Sequence, residues 1–159
     1  MKTAGPRTRR RKRVLAISSG GGHWIELLRL RPAFDGHFVA FATVSEAYRP
    51  HVPGAPLYVV PDATRWDRWG LVKTTAAVAR VLAEVRPDVV VSTGALPGFL
   101  ALVLAKRLGM KTIWVDSLAN VEEMSMSGQK VAPFADLWLT QWEELAYPGG
   151  PRFAGSVIG

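Results

Sequence analysis

The sequence predicts an α/β protein: a Rossmann-like, mostly parallel sheet with helices on both faces. Three observations point there. Short apolar runs alternate with longer stretches of helical periodicity along almost the whole chain. Two of those runs end in glycine-bearing turns, SSGGGHW and STGALPG, that lead directly into helical segments. One run, Asp88 to Ser92 (DVVVS), is nearly continuous in valine, the composition of a strand covered on both faces.

Taken in order, Val14 to Ser18 reads as a buried strand and Trp24 to Leu30 as the helix that follows it. His37 to Thr43 (HFVAFAT) gives a second strand and Leu57 to Val60 (LYVV) a third. From Leu71, the residues Leu71, Thr75, Val78, Leu82 and Val85 recur at helical spacing, which predicts an amphipathic helix that Pro87 ends. Asp88 to Ser92 is the fourth strand. Gly94 and Pro97 mark the turn and the next helix start, Phe99 to Leu108 fills that helix, and Gly109 caps it. Lys111 to Val115 (KTIWV) is a fifth strand and Asp136 to Thr140 (DLWLT) a sixth, with Asn120 to Ala135 between them expected as a helix with a loop.

A chain of 159 residues that is 48% apolar has room for one folded domain and a real core. Its net charge of +7 is unevenly placed. Lys2, Arg7, Arg9, Arg10, Arg11, Lys12 and Arg13 come with no acid among them, and from Val14 onward 13 basic residues balance 13 acidic ones. The expected organisation is therefore a disordered basic arm over residues 1–13 and a single domain over 14–159. A neutral body excludes a basic nucleic-acid groove. The arm is either a contact for an anionic membrane surface or a solvated tail. The apolar run after the arginines, VLAI, is too short for a signal peptide, and Phe99 to Ala105 is too short to span a bilayer. With no cysteine there is no disulfide framework, which suits a cytoplasmic protein, soluble or peripheral on a membrane.

Ligands of such sheets sit beyond the carboxyl ends of the strands, so the loops after Ser18, Ser92 and Val115 carry the candidate chemistry. In the first, Gly20, Gly21 and Gly22 allow close approach of an anion to free helix-start amides; the alternative is a tight turn that binds nothing. It is not a dinucleotide fingerprint, because G-x-G-x-x-G counted from Gly20 needs a glycine where Ile25 stands, and no G-K-[ST] follows. This argues against a nucleotide-binding oxidoreductase. His23 is either a base near neutral pH or a helix cap.

The second loop repeats the form, with Thr93, Gly94 and Gly98, so the pair could hold a diphosphate or be two ordinary turns. In the third, Asp116 and Ser117 emerge at a strand end, where a carboxylate can act as a base, hold a sugar hydroxyl or cap a turn. With no D-x-D pair and no histidine–carboxylate cluster, no metal site is expected. Trp66 and Trp69, one helical turn apart with Arg65, Arg68 and Lys73 alongside, form either an interfacial anchor, which Trp24 could join, or buried packing.

Together, SSGGGHWIELLRL and the stretch from DVVVSTGALPGFLAL through WVDSLANVEEMSMSGQ to ADLWLTQWEEL resemble the acceptor-side, membrane-associated subunit family of the two-subunit UDP-N-acetylglucosamine transferase of lipid-linked oligosaccharide synthesis. They are equally similar to its bacterial exopolysaccharide and capsule counterparts. G-G-G-H and V-S-T-G resemble, more distantly, the amino-terminal half of the undecaprenyl-muropeptide N-acetylglucosaminyltransferase.

The resemblance implies one half of a GT-B-type, inverting glycosyltransferase, inactive alone, that moves a sugar from a UDP-sugar to a polyprenyl-diphosphate-linked acceptor. It implies no cofactor on this chain, the UDP-sugar being held mainly by a donor-binding partner subunit. It puts the acceptor diphosphate at Gly20, Gly21, Gly22, Thr93, Gly94 and Gly98, the base at His23 or Asp116, and the acceptor sugar at Ser117 and Asn120. Membrane contact on the cytoplasmic face falls to Arg65, Trp66, Arg68 and Trp69, and partner docking to Phe153, Val157 and Ile158 in the apolar carboxyl-terminal FAGSVIG. The other reading is a non-catalytic membrane recruiter that stabilises the donor-binding subunit. Two departures from the family pattern stand out: the basic arm replaces an amino-terminal spanning segment, and Asp116–Ser117 replaces the commoner E-S.

Overall fold

The computed structural model describes residues 9–159. Seven strands form one all-parallel sheet: β1 (Arg13–Ile17), β2 (Phe38–Thr43), β3 (Leu57–Val59), β4 (Val89–Ser92), β5 (Lys111–Val115), β6 (Leu137–Thr140) and β7 (Arg152–Phe153). Their order across the sheet is β3-β2-β1-β4-β5-β6-β7. The order reverses between β1 and β4, which opens a crevice beyond the carboxyl ends of those two strands.

Side-chain alternation along β1 divides the core between the two faces. Leu15 and Ile17 point to one side, into a cluster with Val78 and Leu82 of α2 (Arg68–Val85), Leu102 of α3 (Ala95–Arg107) and Trp114 of β5. Ala16 points to the other side, against Trp24 and Leu27 of α1 (Gly22–Arg29), Phe41 and Val52. Each of the fully buried leucines contributes about 2 kcal/mol by removal from water.

Helix ends follow their local chemistry. Asp67 caps α2 by accepting from the Gly70 N–H at 2.8 Å, so the helix starts three residues before the Leu71 that periodicity indicates. It stops at Arg86, which takes a left-handed conformation (φ 48°) ahead of Pro87. Helix α3 begins at Ala95 with Pro97 inside its first turn, where the missing N–H costs nothing.

Three expectations are corrected. The helix expected over Asn120 to Ala135 shrinks to α4 (Met126–Lys130) and a single 3-10 turn at Ala132–Phe134, because Asn120 and Ser125 are drawn into hydrogen bonds with Asp116. A seventh strand, β7, extends the sheet beyond the six foreseen. The basic arm does not reach residue 13. The Lys12 N–H donates to His37 Nδ1 and its carbonyl accepts from Phe38. Arg13 pairs in β1, donates to the Val85 carbonyl and lies over the Phe38 ring at 4.6 Å. Residues 1–8 of the arm lie outside the described residues.

Candidate functional site

The loops after β1 and β4 meet at the switch point, and His23 is the joint. The Thr93 hydroxyl donates to the His23 carbonyl at 2.6 Å, and His23 Nδ1 lies 3.1 Å from the Thr93 carbonyl oxygen. A carbonyl can only accept, so Nδ1 carries a proton, which in the neutral tautomer leaves the lone pair on Nε2. Gly94 makes this possible: a Cβ there would sit 2.6 Å from His23 Nδ1.

Beyond the ring lies an open cleft of about 350 Å³, lined by Gly22, His23, Ala95, Ser117, Ala119, Asn120, Ser125, Met126 and Ser127. The first turns of α1 and α3 both bring amides without intrahelical partners to it, and both helix dipoles present their positive ends there. Ala95, a non-glycine residue at φ 65°, adds backbone strain of the kind found at ligand sites.

Not every residue expected on the diphosphate faces the cleft. Gly22 lines it and Gly21 is exposed beside it, with open space where either would carry a Cβ. The Gly21 amide, however, donates to the Tyr48 hydroxyl at 2.8 Å, and a Cβ on Gly20 would strike that same hydroxyl. Thr93 and Gly94 brace His23 instead, and the Gly94 amide donates to Ser92 Oγ. Gly98 is buried, and a Cβ there would sit 1.8 Å from Ser92 Oγ.

The role of base does not fit Asp116. It is 1% exposed. Its Oδ1 accepts from Trp114 Nε1 and the Ser125 hydroxyl, and its Oδ2 from Asn120 Nδ2 and the Ser125 amide. Four donors hold the carboxylate as an organiser of the third loop, with no lone pair left for a substrate proton. Through Asp116, Asn120 is fixed at the cleft wall.

Glu26 was not singled out from the sequence, yet it ties the first loop's helix to the third loop. Its Oε1 accepts from the Ser117 hydroxyl at 3.0 Å and the Leu118 amide at 3.1 Å. The available signal was its position three residues after His23, on the same helical face.

Trp24 is fully buried, with its indole N–H donated to His51, and so does not join a membrane anchor. Trp66 and Trp69 are 79% and 77% exposed, and the neighbouring Val72 is exposed as well. The Arg65 guanidinium lies over the Trp66 ring and contacts the Met126 sulfur at the rim of the cleft. The aromatic–basic patch, which includes the exposed Arg68, therefore runs up to the cleft. At the carboxyl end, Phe153 on the edge strand β7 and Ile158 are exposed, while Val157 is half-buried and donates its amide to Gln141 Oε1. Gln141 in turn donates to the Asp116 carbonyl. Among the described residues no helix is long and apolar enough to cross a membrane, and no group of three or more His, Asp or Glu is placed to hold a metal ion.

Comparison with known proteins agrees with this architecture. The sequence model of a family described as oligosaccharide biosynthesis protein Alg14 like matches residues 69–152. The UDP-N-acetylglucosamine transferase subunit alg14 of Schizosaccharomyces pombe is 30% identical, over 85% of this chain and 78% of its own. The subunit ALG14 of Eremothecium gossypii is 27% identical, over 85% of this chain and 75% of its own. Among solved structures, MurG of Acinetobacter baumannii superposes with a TM-score of 0.74 at 14% identity, over 91% of this chain and 46% of that one. The UDP-N-acetylglucosamine 2-epimerase of Rickettsia bellii gives 0.68 at 17% identity, over 91% and 45%. These two share the fold, and the chain spans just under half of either.

Proposed function

The chain belongs to the Alg14-like family of oligosaccharide biosynthesis proteins, and from that premise we propose that it is the acceptor-binding subunit of a two-subunit, inverting glycosyltransferase. Its relatives are named as subunits of a UDP-N-acetylglucosamine transferase, which supports a donor-binding partner on a second chain and UDP-N-acetylglucosamine as donor. The observation that carries the reading is the cleft: an imidazole with a free Nε2, beside the first turns of two helices, at the foot of an exposed tryptophan–arginine patch.

In this reading the acceptor is a sugar on a polyprenyl diphosphate. Its diphosphate lies against the helix-start amides at Gly22 and Ala95, and its lipid leaves past Met126 along Trp66 and Trp69 toward the cytoplasmic face of the membrane. Asn120 and the Ser117 region border the sugar. As the acceptor hydroxyl oxygen attacks the anomeric carbon of the donor, its proton passes to His23 Nε2. The bond from that carbon to the UDP oxygen breaks, and UDP departs with the electron pair into the partner's site. The partner docks on the exposed Phe153 and Ile158 with Val157 beside them.

The test is transfer from UDP-N-acetylglucosamine to a polyprenyl-diphosphate N-acetylglucosamine by the chain with its donor-binding partner, on vesicles containing anionic lipid. His23→Ala is expected to lower the rate by about 10² to 10⁴ with the complex intact. Full activity in that variant would leave the chain a recruiter of the partner rather than a contributor to the chemistry. The double change Trp66→Ala and Trp69→Ala is expected to weaken vesicle binding without altering the fold, since both rings are exposed.

A further inference from the structure

The cleft has two walls from distant parts of the chain, and one buried side chain joins them. Helix α1 supplies His23 on one side, and Ser117 to Asn120 supply the other. Glu26 is 8% exposed, and its Oε1 takes hydrogen bonds from Ser117 and Leu118, which lie 91 and 92 residues away in sequence. The Ser117 hydroxyl oxygen then accepts the Ala119 amide at 3.2 Å, extending the hold into the loop. Bonds to a carboxylate are about twice as strong as neutral ones.

The other carboxylate oxygen, Oε2, is buried with no hydrogen-bond partner. Neither of the two ion pairs among the described residues, Glu46–Arg49 and Lys106–Asp136, involves Glu26. A buried carboxylate with one bare oxygen and no cation is a poor choice for stability alone; an apolar side chain, like those of its neighbours Trp24 and Leu27, would avoid the desolvation cost. Such a group is retained for what it places.

We propose that Glu26 is a positioning residue of the acceptor cleft, fixing the third loop to α1 and so setting the gap between His23 and the Ser117–Asn120 wall. The inference rests on the acceptor-subunit reading and adds to it a residue that touches no reacting atom. Its effect falls on acceptor placement and leaves the partner's hold on the donor alone.

Three variants separate the clamp from a general role in folding. Glu26→Ala removes both bonds. Glu26→Gln keeps an oxygen that can accept them, and Ser117→Ala removes one of them together with the acceptor of the Ala119 amide while leaving the Leu118 bond to Glu26 in place. In the full chain, amide hydrogen exchange at Leu118, whose acceptor is Glu26 itself, is expected to rise at least about tenfold in Glu26→Ala, less in Ser117→Ala, and to return close to the wild-type rate in Glu26→Gln. With the donor-binding partner present, Glu26→Ala is expected to raise the KM for the lipid-linked acceptor about tenfold while the KM for the UDP-sugar stays put, and Glu26→Gln to restore it. Unchanged exchange in Glu26→Ala overturns the clamp. So does a Glu26→Gln variant as impaired as Glu26→Ala with normal loop exchange, which would assign the effect to charge. Direct titration with farnesyl diphosphate keeps the two readings apart. If the wild type ignores that probe, the acceptor reading fails; if wild type and Glu26→Ala bind it alike, the positioning role fails.

Discussion

The two glycine loops look alike in sequence and do opposite things in the fold. Each follows a largely buried strand, carries two or three glycines and opens a helix. Around the first, the space where Gly21 and Gly22 would bear side chains is empty. Around the second it is full: Gly94 is pressed against the His23 ring and Gly98 against Ser92. In the first loop Tyr48 closes off Gly20 while Gly21 and Gly22 face open space; in the second loop the chain itself fills the space at both glycines. The second loop is the rear support that holds His23, and through it the first loop, in place.

That difference can be broken deliberately, and the largest effect is expected where the packing is tightest. Gly98→Ala puts a methyl group onto the Ser92 side chain in the buried first turn of α3. Overpacking of this kind costs about 3 kcal/mol at its upper range, which should lower the melting temperature by about 8 °C in thermal unfolding. A Gly98→Ala protein as stable as the wild type would mean that the second loop yields as easily as the first.

Gly94→Ala comes next and is read in activity. It combines a Cβ 2.6 Å from His23 Nδ1 with a backbone angle (φ 141°) that side chains resist. The imidazole must move, and a displacement on the order of an ångström is enough to cost about 10²-fold in transfer. The same rate as wild type would separate His23 from the second loop and undo the comparison.

The comparison also marks how far the sequence could be read. Six strands and the helices α1, α2 and α3 were legible because β-branched runs and helical periodicity are local properties; the valines of β4 and the spacing from Leu71 to Val85 needed no tertiary information. What depended on contacts distant in the chain was not legible. A carboxylate at a strand end reads as a possible base, but Asp116 is enclosed by Trp114, Asn120 and Ser125, and that enclosure also shortens the helix expected from Asn120 onward. Glu26 looks like any helical glutamate until Ser117 is brought to it from β5. The tryptophans divide the same way: Trp24 fills the face under α1, while Trp66 and Trp69 are exposed. Strand β7, only two residues long, is shorter than any periodicity can reveal.

The smallest expected change in stability tests the first loop directly. Gly22 is the first residue of α1, its backbone does not require a glycine, and nothing stands within 4 Å of where a Cβ would lie. Alanine in that place reduces the freedom of the unfolded chain, so Gly22→Ala should leave the melting temperature unchanged or raise it by about 2 °C, corresponding to up to about 1 kcal/mol. Its methyl group, however, projects where an anion would approach the helix-start amides. Binding of farnesyl diphosphate, followed by titration, should therefore weaken several-fold in a protein that is no less stable. Stability and binding moving in opposite directions is the signature of a glycine kept for a ligand. If Gly22→Ala binds the probe as well as the wild type, the open space above the first loop has no occupant that needs it, and the two loops differ in packing alone.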